Sequence, residues 1–294
     1  MTRRTATLIG FTAVLLWALL AVFTVAAAPV PPFQLTALTF AIGACVGLVW
    51  GVATGTLGAL ARVPLRVYAA GTVGLFGYHA LYFFGLRLAP PAEAGLIAYL
   101  WPLLIVLFSG LLPGETLRRG HVLGALAGFA GAALIIVAGR GTPGSGAFLG
   151  YGLALLCALF WSSYSVLSRR LADVPTVSVT VFCAATSVLA GLVHGATETW
   201  VLPSLVNWGA ILGLGLGPVG LAFFAWDVGV KRGDIQLLGT AAYAAPLLST
   251  LALVSAGLAP LTWVLAVAAA LIVLGAALAA RASARVATDQ RGNL

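Results

Sequence analysis

Ten long runs of hydrophobic residues, separated by short polar turns, occupy almost the whole chain. They cover approximately residues 7–28, 33–55, 66–87, 92–112, 120–140, 147–169, 176–195, 206–230, 234–256 and 260–281. A helix that crosses a bilayer needs roughly 20 mainly apolar residues, and each run has about that length. The pattern therefore predicts an all-α integral membrane protein with ten transmembrane helices and almost no extramembrane domain.

Composition agrees with a lipid environment and excludes a water-soluble fold. The chain is 62% hydrophobic and only 7% charged, and its mean hydropathy is +1.10. A soluble domain carries about a quarter charged residues, which it needs to cover its surface. The lipid bilayer is therefore the expected surrounding, and any function has to be carried out within it.

The basic residues indicate an orientation. The formal net charge is +8, but the cations are spread over the predicted loops, so we expect no nucleic-acid partner. Only Arg87 and Arg140 fall on the side away from the N-terminus. The other 13 of the 15 basic residues fall on the N-terminal side: Arg3, Arg4, Arg62, Arg66, Arg118, Arg119, Arg169, Arg170, Lys231, Arg232, Arg281, Arg285 and Arg291. Because cytoplasmic loops are enriched in Lys and Arg, both termini are predicted to lie in the cytoplasm, below a bacterial-type inner membrane.

The first run has an alternative interpretation as a secretory signal. Arg3 and Arg4 precede an apolar stretch that ends in three alanines, as an n-region, h-region and cleavage site would. The stretch is long enough to span, however, and it has a counterpart later in the chain. We therefore interpret it as the first membrane helix.

One sequence offset recurs along the chain and indicates a duplication. Residues 144 positions apart are identical at many sites, and although glycine matches arise easily by chance, matches of Trp, Tyr and Pro at a single offset do not. The pairs include Trp17 and Trp161, Pro31 and Pro175, Thr36 and Thr180, Gly47 and Gly191, Gly71 and Gly215, Gly85 and Gly229, Tyr99 and Tyr243, and Pro102 and Pro246. We predict a first five-helix repeat over 1–140, a second over 147–285 and a cytoplasmic tail over 286–294. Five is odd, so the second repeat must enter from the opposite face. Such inverted repeats are typical of alternating-access transporters with a site near the midplane.

Small residues recur every four positions on two predicted helices, at 43, 47, 51 and 55 on the second and at Gly124 and Gly128 on the fifth. Glycines on one face let helix backbones approach closely in lipid. We favour packing within one molecule, with a rocking surface or a homodimer face as alternatives, and we expect a monomer. The stretch 215–220 spells G-x-G-x-x-G, but it lies inside a predicted span and contains Pro218. It is therefore interpreted as a helix break rather than a dinucleotide site, and no cofactor is predicted.

Three ionisable residues inside predicted spans are candidate functional groups. His79 is interpreted either as a substrate or proton site or as a hydrogen-bonded structural imidazole. Asp227 lies four residues before Lys231, so a helix-end ion pair competes with a proton or substrate role. Glu93 follows two prolines, which favours a role at a helix N-terminus.

Aromatic residues in mid-span predict a cavity that stacks on planar or apolar ligands and offers a few polar groups. Packing in the core or against lipid is the alternative for each of them. Together with His79, the candidates are Trp17, Tyr78, Tyr82, Tyr99, Trp101, Trp161, Tyr164, Phe223, Trp226 and Tyr243. Pro102 and Pro246 interrupt the fourth and ninth predicted helices at matching places, which points to these helices as the central pair and to a gating role shared with Pro218.

Four short sequences are the most specific parts of the chain: Thr2-Arg3 with Ala6–Gly10, Tyr99–Pro102, Phe160-Trp161 with Tyr164, and Ala225–Gly229. They resemble the drug/metabolite transporter superfamily with paired EamA-type domains, and more narrowly the YddG aromatic amino-acid exporters. The resemblance covers essentially the whole chain. It implies a ten-helix basket with a central cavity and export of aromatic and related neutral amino acids. The family pattern has Asn at the position of Asp227, so a charge there is not implied by the family.

Two other functions compete with amino-acid export. Efflux of cationic drugs is the alternative within the superfamily, but a buried carboxylate in mid-membrane is expected for it, and both Asp227 and Glu93 lie near predicted helix ends. An intramembrane enzyme is disfavoured, because no motif links Ser109 with His79. The three histidines and the three cysteines lie apart without ligand spacing, so no metal site is predicted.

Overall fold

The computed structural model describes residues 1–138, 148–255, 257 and 260–292, and all regular elements among them are helical. The α-helices are α1 Arg3–Trp17, α2 Leu20–Ala27, α3 Pro32–Ala53, α4 Leu65–Leu88, α5 Pro91–Ala98, α6 Trp101–Ser109, α7 Arg119–Ala138, α8 Phe148–Arg170, α9 Val179–Thr197, α10 Leu205–Leu216, α11 Ala222–Arg232, α12 Ile235–Ala241, α13 Ala244–Ser255 and α14 Trp263–Gly292. Arg140, the junction between the two predicted repeats and the last two residues of the tail lie outside the described residues.

Eight helical segments in this part of the chain are long and apolar enough to cross a membrane. They are Arg3–Ala27, Pro32–Ala53, Arg119–Val137, Phe148–Arg170, Thr176–Thr197, Leu205–Arg232, Ile235–Ser255 and Trp263–Val286. The third and fourth predicted spans differ from these. The third is α4, a 24-residue helix with an arginine near each end, and the fourth is divided into the short helices α5 and α6. The prediction of an all-helical membrane protein is confirmed.

Within the described residues, four interruptions divide predicted spans, and three of them contain or adjoin a proline. Pro102 and Pro246 occupy the second and third positions of α6 and α13, where a helix has no partner for their missing N–H groups. A π-helical turn, Gly217–Leu221, contains Pro218 and joins α10 to α11. The first span is interrupted between α1 and α2 at Ala18 and Leu19.

The largest helix interfaces join the first half of the chain to the second. Helix α7 packs along α14, α3 along α9, α4 along α8, and α1 along α11. Shifting by 144 residues maps the α7–α14 and α3–α9 pairs onto themselves and exchanges the α4–α8 pair with the α1–α11 pair. Neither half is therefore an independent bundle.

Glycines that recur every four residues make close contacts with other helices of the same molecule. A Cβ atom on Gly43 would lie 3.3 Å from the Cα of Gly220, and one on Gly124 would lie 2.5 Å from the carbonyl oxygen of Gly275. These glycines allow α3 to approach the π-helical turn and α7 to approach α14. Gly55 lies beyond the end of α3, where its φ of +66° favours glycine.

Ion pairs hold one end of the bundle together; we call it the basic end. Glu115 pairs with Arg169 and, at 3.1 Å, with Arg3, which also lies 3.6 Å from Asp234. Arg169 donates to the Gly233 carbonyl at 2.8 Å. Because Glu115 belongs to the first half and Arg169 to the second, these contacts join the halves.

Glu198 organises the opposite end. Its carboxylate accepts the backbone N–H groups of Phe33 and Gln34 at the start of α3, with the shortest distances at 3.1 and 3.2 Å. It also pairs with Arg87 and lies 3.0 Å from His194 Nδ1. The carboxylate is 3% exposed, so it stabilises the N-terminus of α3 from a protected position.

Candidate functional site

Four tryptophans from four helices form a cluster at the centre of the bundle. Trp17 of α1, Trp101 of α6, Trp161 of α8 and Trp226 of α11 have all six pairwise ring-centroid distances between 5.1 and 6.4 Å. Each side chain is buried. Edge-to-face and stacked pairs at these distances add to the stabilisation from apolar burial. Two tryptophans come from each half, so the tryptophan cluster lies where the halves meet.

Two indole N–H groups of the tryptophan cluster have defined acceptors. Trp17 Nε1 donates to the carbonyl oxygen of Pro218 at 3.1 Å, and Trp226 Nε1 donates to Ser165 Oγ at 3.0 Å. The first bond ties α1 to the π-helical turn, and the second ties α11 to α8. These bonds fix the orientation of the rings, because a buried N–H without an acceptor would be costly.

Phe223 connects the tryptophan cluster to His79. The Phe223 ring lies 5.6 Å from Trp161 and stacks on Phe40 at 5.5 Å. His79 meets Phe40 edge-on at 4.9 Å, and its Nδ1 lies 2.8 Å from the Leu75 carbonyl oxygen one turn earlier. The backbone hydrogen bond anchors the imidazole among aromatic rings.

Three half-buried tyrosines border the tryptophan cluster. Tyr78 lies 5.5 Å from Trp161 and stacks on Tyr82 at 6.1 Å with an interplanar angle of 2°. Tyr99, at the end of α5, lies 6.3 Å from Trp101. The tyrosines are less buried than the tryptophans, and each carries a hydroxyl group that can form hydrogen bonds.

Tyr243 links the two broken helices. Its ring lies 6.5 Å from Tyr99, and its hydroxyl oxygen accepts a hydrogen bond from the Leu103 backbone N–H at 3.0 Å. Leu103 is the third residue of α6, so its N–H has no acceptor within its own helix. The side chain of Tyr243, which lies between α12 and α13, therefore caps the N-terminus of α6.

Tyr164 lies partly away from the other candidates. Its ring contacts Trp161 at 5.4 Å, but its other side borders a cavity of about 440 Å³ between α4, α8, α9 and α11. Exposed Val73, Leu156 and Leu167 line the mouth of this cavity, which therefore opens to the side of the bundle. A second lateral cavity, of about 710 Å³, lies between α1, α3 and α11. The tryptophan cluster lines neither of them.

Asp227 makes the ion pair that the sequence allowed. Its Oδ2 lies 2.9 Å from Lys231 Nζ and accepts the Thr176 hydroxyl at 2.7 Å, while Lys231 also donates to the Val174 carbonyl at 2.9 Å. Glu93, in the first turn of α5, accepts a hydrogen bond from the Tyr151 hydroxyl of α8. Both carboxylates bind protein groups from neighbouring elements.

The histidines also interact with separate partners. His121 accepts the Arg118 backbone N–H at 3.2 Å and lies 3.2 Å from Ser283 Oγ, whereas His194 lies beside Glu198. Among the described residues, no group of three or more His, Cys, Asp or Glu side chains could hold a metal ion.

Sequence reasoning missed Phe40 as a site residue. It is 1% exposed and lies between His79 and Phe223, but the offset of 144 pairs it with an alanine, so the repeat gave no signal. Its position in mid-span, by the argument that selected the other aromatics, could have found it.

Comparison with known proteins agrees with the architecture. Residues 4–137 and 148–281 match the EamA-like transporter family. A protein of Ancylobacter novellus named "Aromatic amino acid exporter YddG" is 56% identical over 281 residues, which cover 95% of this chain and 98% of that protein. A Salmonella typhimurium protein of the same name is 27% identical over 85% of this chain and 88% of that protein. A solved crystal structure with 55% identity superposes with a TM-score of 0.90 and covers 95% of this chain and 98% of the other. The chain therefore belongs to the EamA-like transporter family.

Proposed function

We propose that this chain exports aromatic and related neutral amino acids from the cytoplasm by alternating access between two inverted five-helix halves. The observation that carries the proposal is the tryptophan cluster, which lies at the contact of the halves and is bordered by the tyrosines Tyr78, Tyr82 and Tyr99. Aromatic faces bind planar side chains, and tyrosine hydroxyls offer hydrogen bonds to the polar part of an amino acid. The 56% identity to a protein named as an aromatic amino-acid exporter supports the same substrate class.

The charge distribution around the site favours a neutral zwitterion over a cationic drug. A pump for permanent cations would place a carboxylate next to the substrate. The two candidate carboxylates instead bind protein groups, Asp227 with Lys231 and Thr176, and Glu93 with Tyr151. We therefore assign Asp227 to the stability of the bundle and the aromatic rings to substrate binding.

The arrangement of the helix interfaces supports the inverted duplication. The offset of 144 residues, read from the sequence alone, exchanges α4–α8 with α1–α11 and keeps α7–α14 and α3–α9. We count α4 and the broken pair α5–α6 as spans three and four, which makes ten. The positive-inside rule then assigns the basic end and both termini to the cytoplasm of a bacterial inner membrane. We assign the functional unit as a monomer.

Counterflow in proteoliposomes tests the proposed function. Vesicles loaded with unlabelled phenylalanine and diluted into labelled phenylalanine or tryptophan are expected to accumulate label transiently and saturably. Protein-free vesicles are the control. Saturable movement of methyl viologen, without movement of any amino acid, would instead identify a cation efflux transporter. An imposed pH gradient in the same vesicles tests the proton role of His79. If transport is coupled to protons, the gradient changes the rate of transport or the level to which the substrate accumulates.

A further inference from the structure

The two broken helices carry the same short pattern, but the structure packs the two copies differently. The offset of 144 aligns Gly95, Tyr99, Pro102 and Leu103 with Gly239, Tyr243, Pro246 and Leu247. In each copy the glycine and the tyrosine are four residues apart, which places them on one face of the helix that precedes the break. The proline and leucine are the second and third residues of α6 but the third and fourth of α13. The Leu247 N–H therefore lacks an acceptor within its own helix only when α13 begins one residue later, as α6 does.

In the second half, the helix that carries the pattern packs closely against the first half, and we call this copy closed. Helix α12 lies against α6, and a Cβ atom on Gly239 would come within 3.0 Å of Val106 Cγ2 and 3.2 Å of the Pro102 carbonyl oxygen. Tyr243 is fully buried, and its hydroxyl binds the Leu103 amide. Glycine is thus favoured at 239, because a larger residue would push α12 away from α6. Asp234, which caps the N-terminus of α12, lies 3.6 Å from Arg3 at the basic end, so α12 begins at that end of the bundle.

In the first half, the helix that carries the pattern lacks such a contact with the second half, and we call this copy open. A Cβ atom on Gly95 would meet no atom within 4 Å, and α5 makes no comparable contact with α13 in the described residues. Tyr99 is half-buried, and within the described part of the chain it makes no hydrogen bond to the Leu247 amide. Its ring lies 6.5 Å from that of Tyr243, so the face that carries Gly95 and Tyr99 is directed towards the broken helix of the other half.

Nothing in this conformation requires glycine at position 95. A glycine inside a helix is destabilising relative to alanine, and Gly95 lies in the middle of α5 with open space beside it. A second conformation in which α5 packs closely against another backbone would favour it, as the contact with α6 favours Gly239.

We propose that the opposite end of the bundle closes when Gly95 packs against α13 and the Tyr99 hydroxyl binds the Leu247 amide, while the Gly239 contact and the Tyr243–Leu103 hydrogen bond open. This exchange rests on the proposed alternating access and names the contacts that make its second state. The offset of 144 pairs Val106 with Thr250, so Thr250 becomes the neighbour of Gly95 after closure.

A side chain at position 95 tests the closure. Gly95→Leu is expected to fold with an equal or higher melting temperature, because the side chain enters open space and leucine favours the helix more than glycine does. We expect it to lose at least about tenfold in tryptophan counterflow, because the α5–α13 contact is then blocked sterically. Gly152→Leu is the matched control: a Cβ atom at Gly152 also meets nothing within 4 Å, but this exposed position lies on α8. Equal transport by the two variants would overturn the proposal.

Two chemically identical substitutions should shift the equilibrium in opposite directions. Tyr243→Phe removes the hydrogen bond of the described state, and Tyr99→Phe removes that of the second state. The loss of one net hydrogen bond changes a conformational ratio by about fivefold. The readout is a disulfide between thiols introduced by Gly95→Cys and Thr250→Cys, in a background that carries Cys45→Ala because Cys45 is exposed. Such a bond needs Cβ atoms about 3.5 to 4.5 Å apart, which only the closed contact supplies.

We expect Tyr243→Phe to raise the rate of this cross-link and Tyr99→Phe to lower it. Shifts in the same direction, or a pair that never cross-links while the wild type transports tryptophan, would overturn the proposal. Failure of the proposed function is distinguishable, because the wild type would then move no aromatic amino acid although the cross-link still reported closure.

Discussion

Substitutions in the ion pair between Lys231 and Asp227 test whether Asp227 stabilises the bundle or takes part in transport. The two side chains are 5% and 1% exposed, and the closest nitrogen–oxygen distance is 2.9 Å. Replacing Lys231 by Met preserves most of the apolar side chain. It leaves the carboxylate with the Thr176 hydroxyl but without its ammonium group, and it removes the donor to the Val174 carbonyl.

The size of the effect follows from the burial. Removing one partner of a buried ion pair costs about 3 to 5 kcal/mol, and solvent screening is small for side chains this protected. We therefore expect Lys231→Met to lower the free energy of unfolding by about 3 to 5 kcal/mol. In the double variant Asp227→Asn/Lys231→Met the asparagine still accepts from Thr176. Its expected loss is only about 1 to 2 kcal/mol.

Thermal unfolding in detergent, at one scan rate for all variants, measures the order of stability. The wild type should melt highest, the double variant next and Lys231→Met lowest. Counterflow at a temperature where every variant is folded completes the cycle. A double variant that melts no higher than Lys231→Met would refute the ion-pair account. So would an Asp227→Asn protein that melts normally but transports nothing.

Three further substitutions test the ends of the bundle and its helix packing. Glu115→Gln removes the ion pairs with Arg3 and Arg169 and should lower the free energy of unfolding by about 1 to 3 kcal/mol, mostly through the less exposed Arg169. An unchanged melting temperature would show that these pairs do not hold the basic end. Glu198→Gln weakens the cap of α3 and should lower the free energy of unfolding by about 1.5 to 3 kcal/mol. Because the carboxylate is 3% exposed, this loss should depend little on salt concentration, and a strong salt dependence would contradict the burial. Gly124→Leu brings a side chain against the Gly275 carbonyl and should prevent folding or cost more than about 3 kcal/mol, whereas normal yield and melting would contradict the α7–α14 contact.

Much of the fold was predictable because the bilayer imposes a simple length rule. The apolar runs coincide with helices, and the constant offset anticipated that the interfaces α4–α8 and α1–α11 correspond. The interruptions were predicted only where a proline marks them, at Pro102, Pro218 and Pro246. The break between α1 and α2 has no proline, and no residue type in that stretch distinguishes it from a continuous helix.

The candidate site was predictable as a set of residues but not as an arrangement. Mid-span position identified the tryptophans of spans one, four, six and eight, since tryptophans that face lipid concentrate near the ends of spans. Which rings contact each other depends on helix rotation and on bonds such as Trp17 to the Pro218 carbonyl, which no sequence pattern specifies. The same holds for the packing asymmetry of Gly95 and Gly239, because two identical residues at the matching positions cannot show which of them is closely packed.

The central claim, that the tryptophan cluster binds the aromatic ring of the substrate, is tested most directly by substituting one indole. Trp101→Leu keeps an apolar side chain but removes the ring, and Trp263→Leu is the control, because Trp263 is 77% exposed at the start of α14. Proteoliposome counterflow of labelled tryptophan should fall about two- to tenfold in Trp101→Leu, the loss expected for one aromatic pair with the substrate, and should stay at the wild-type rate in Trp263→Leu. A folded Trp101→Leu protein that moves tryptophan at the wild-type rate, with the wild-type half-saturation concentration, would contradict the account.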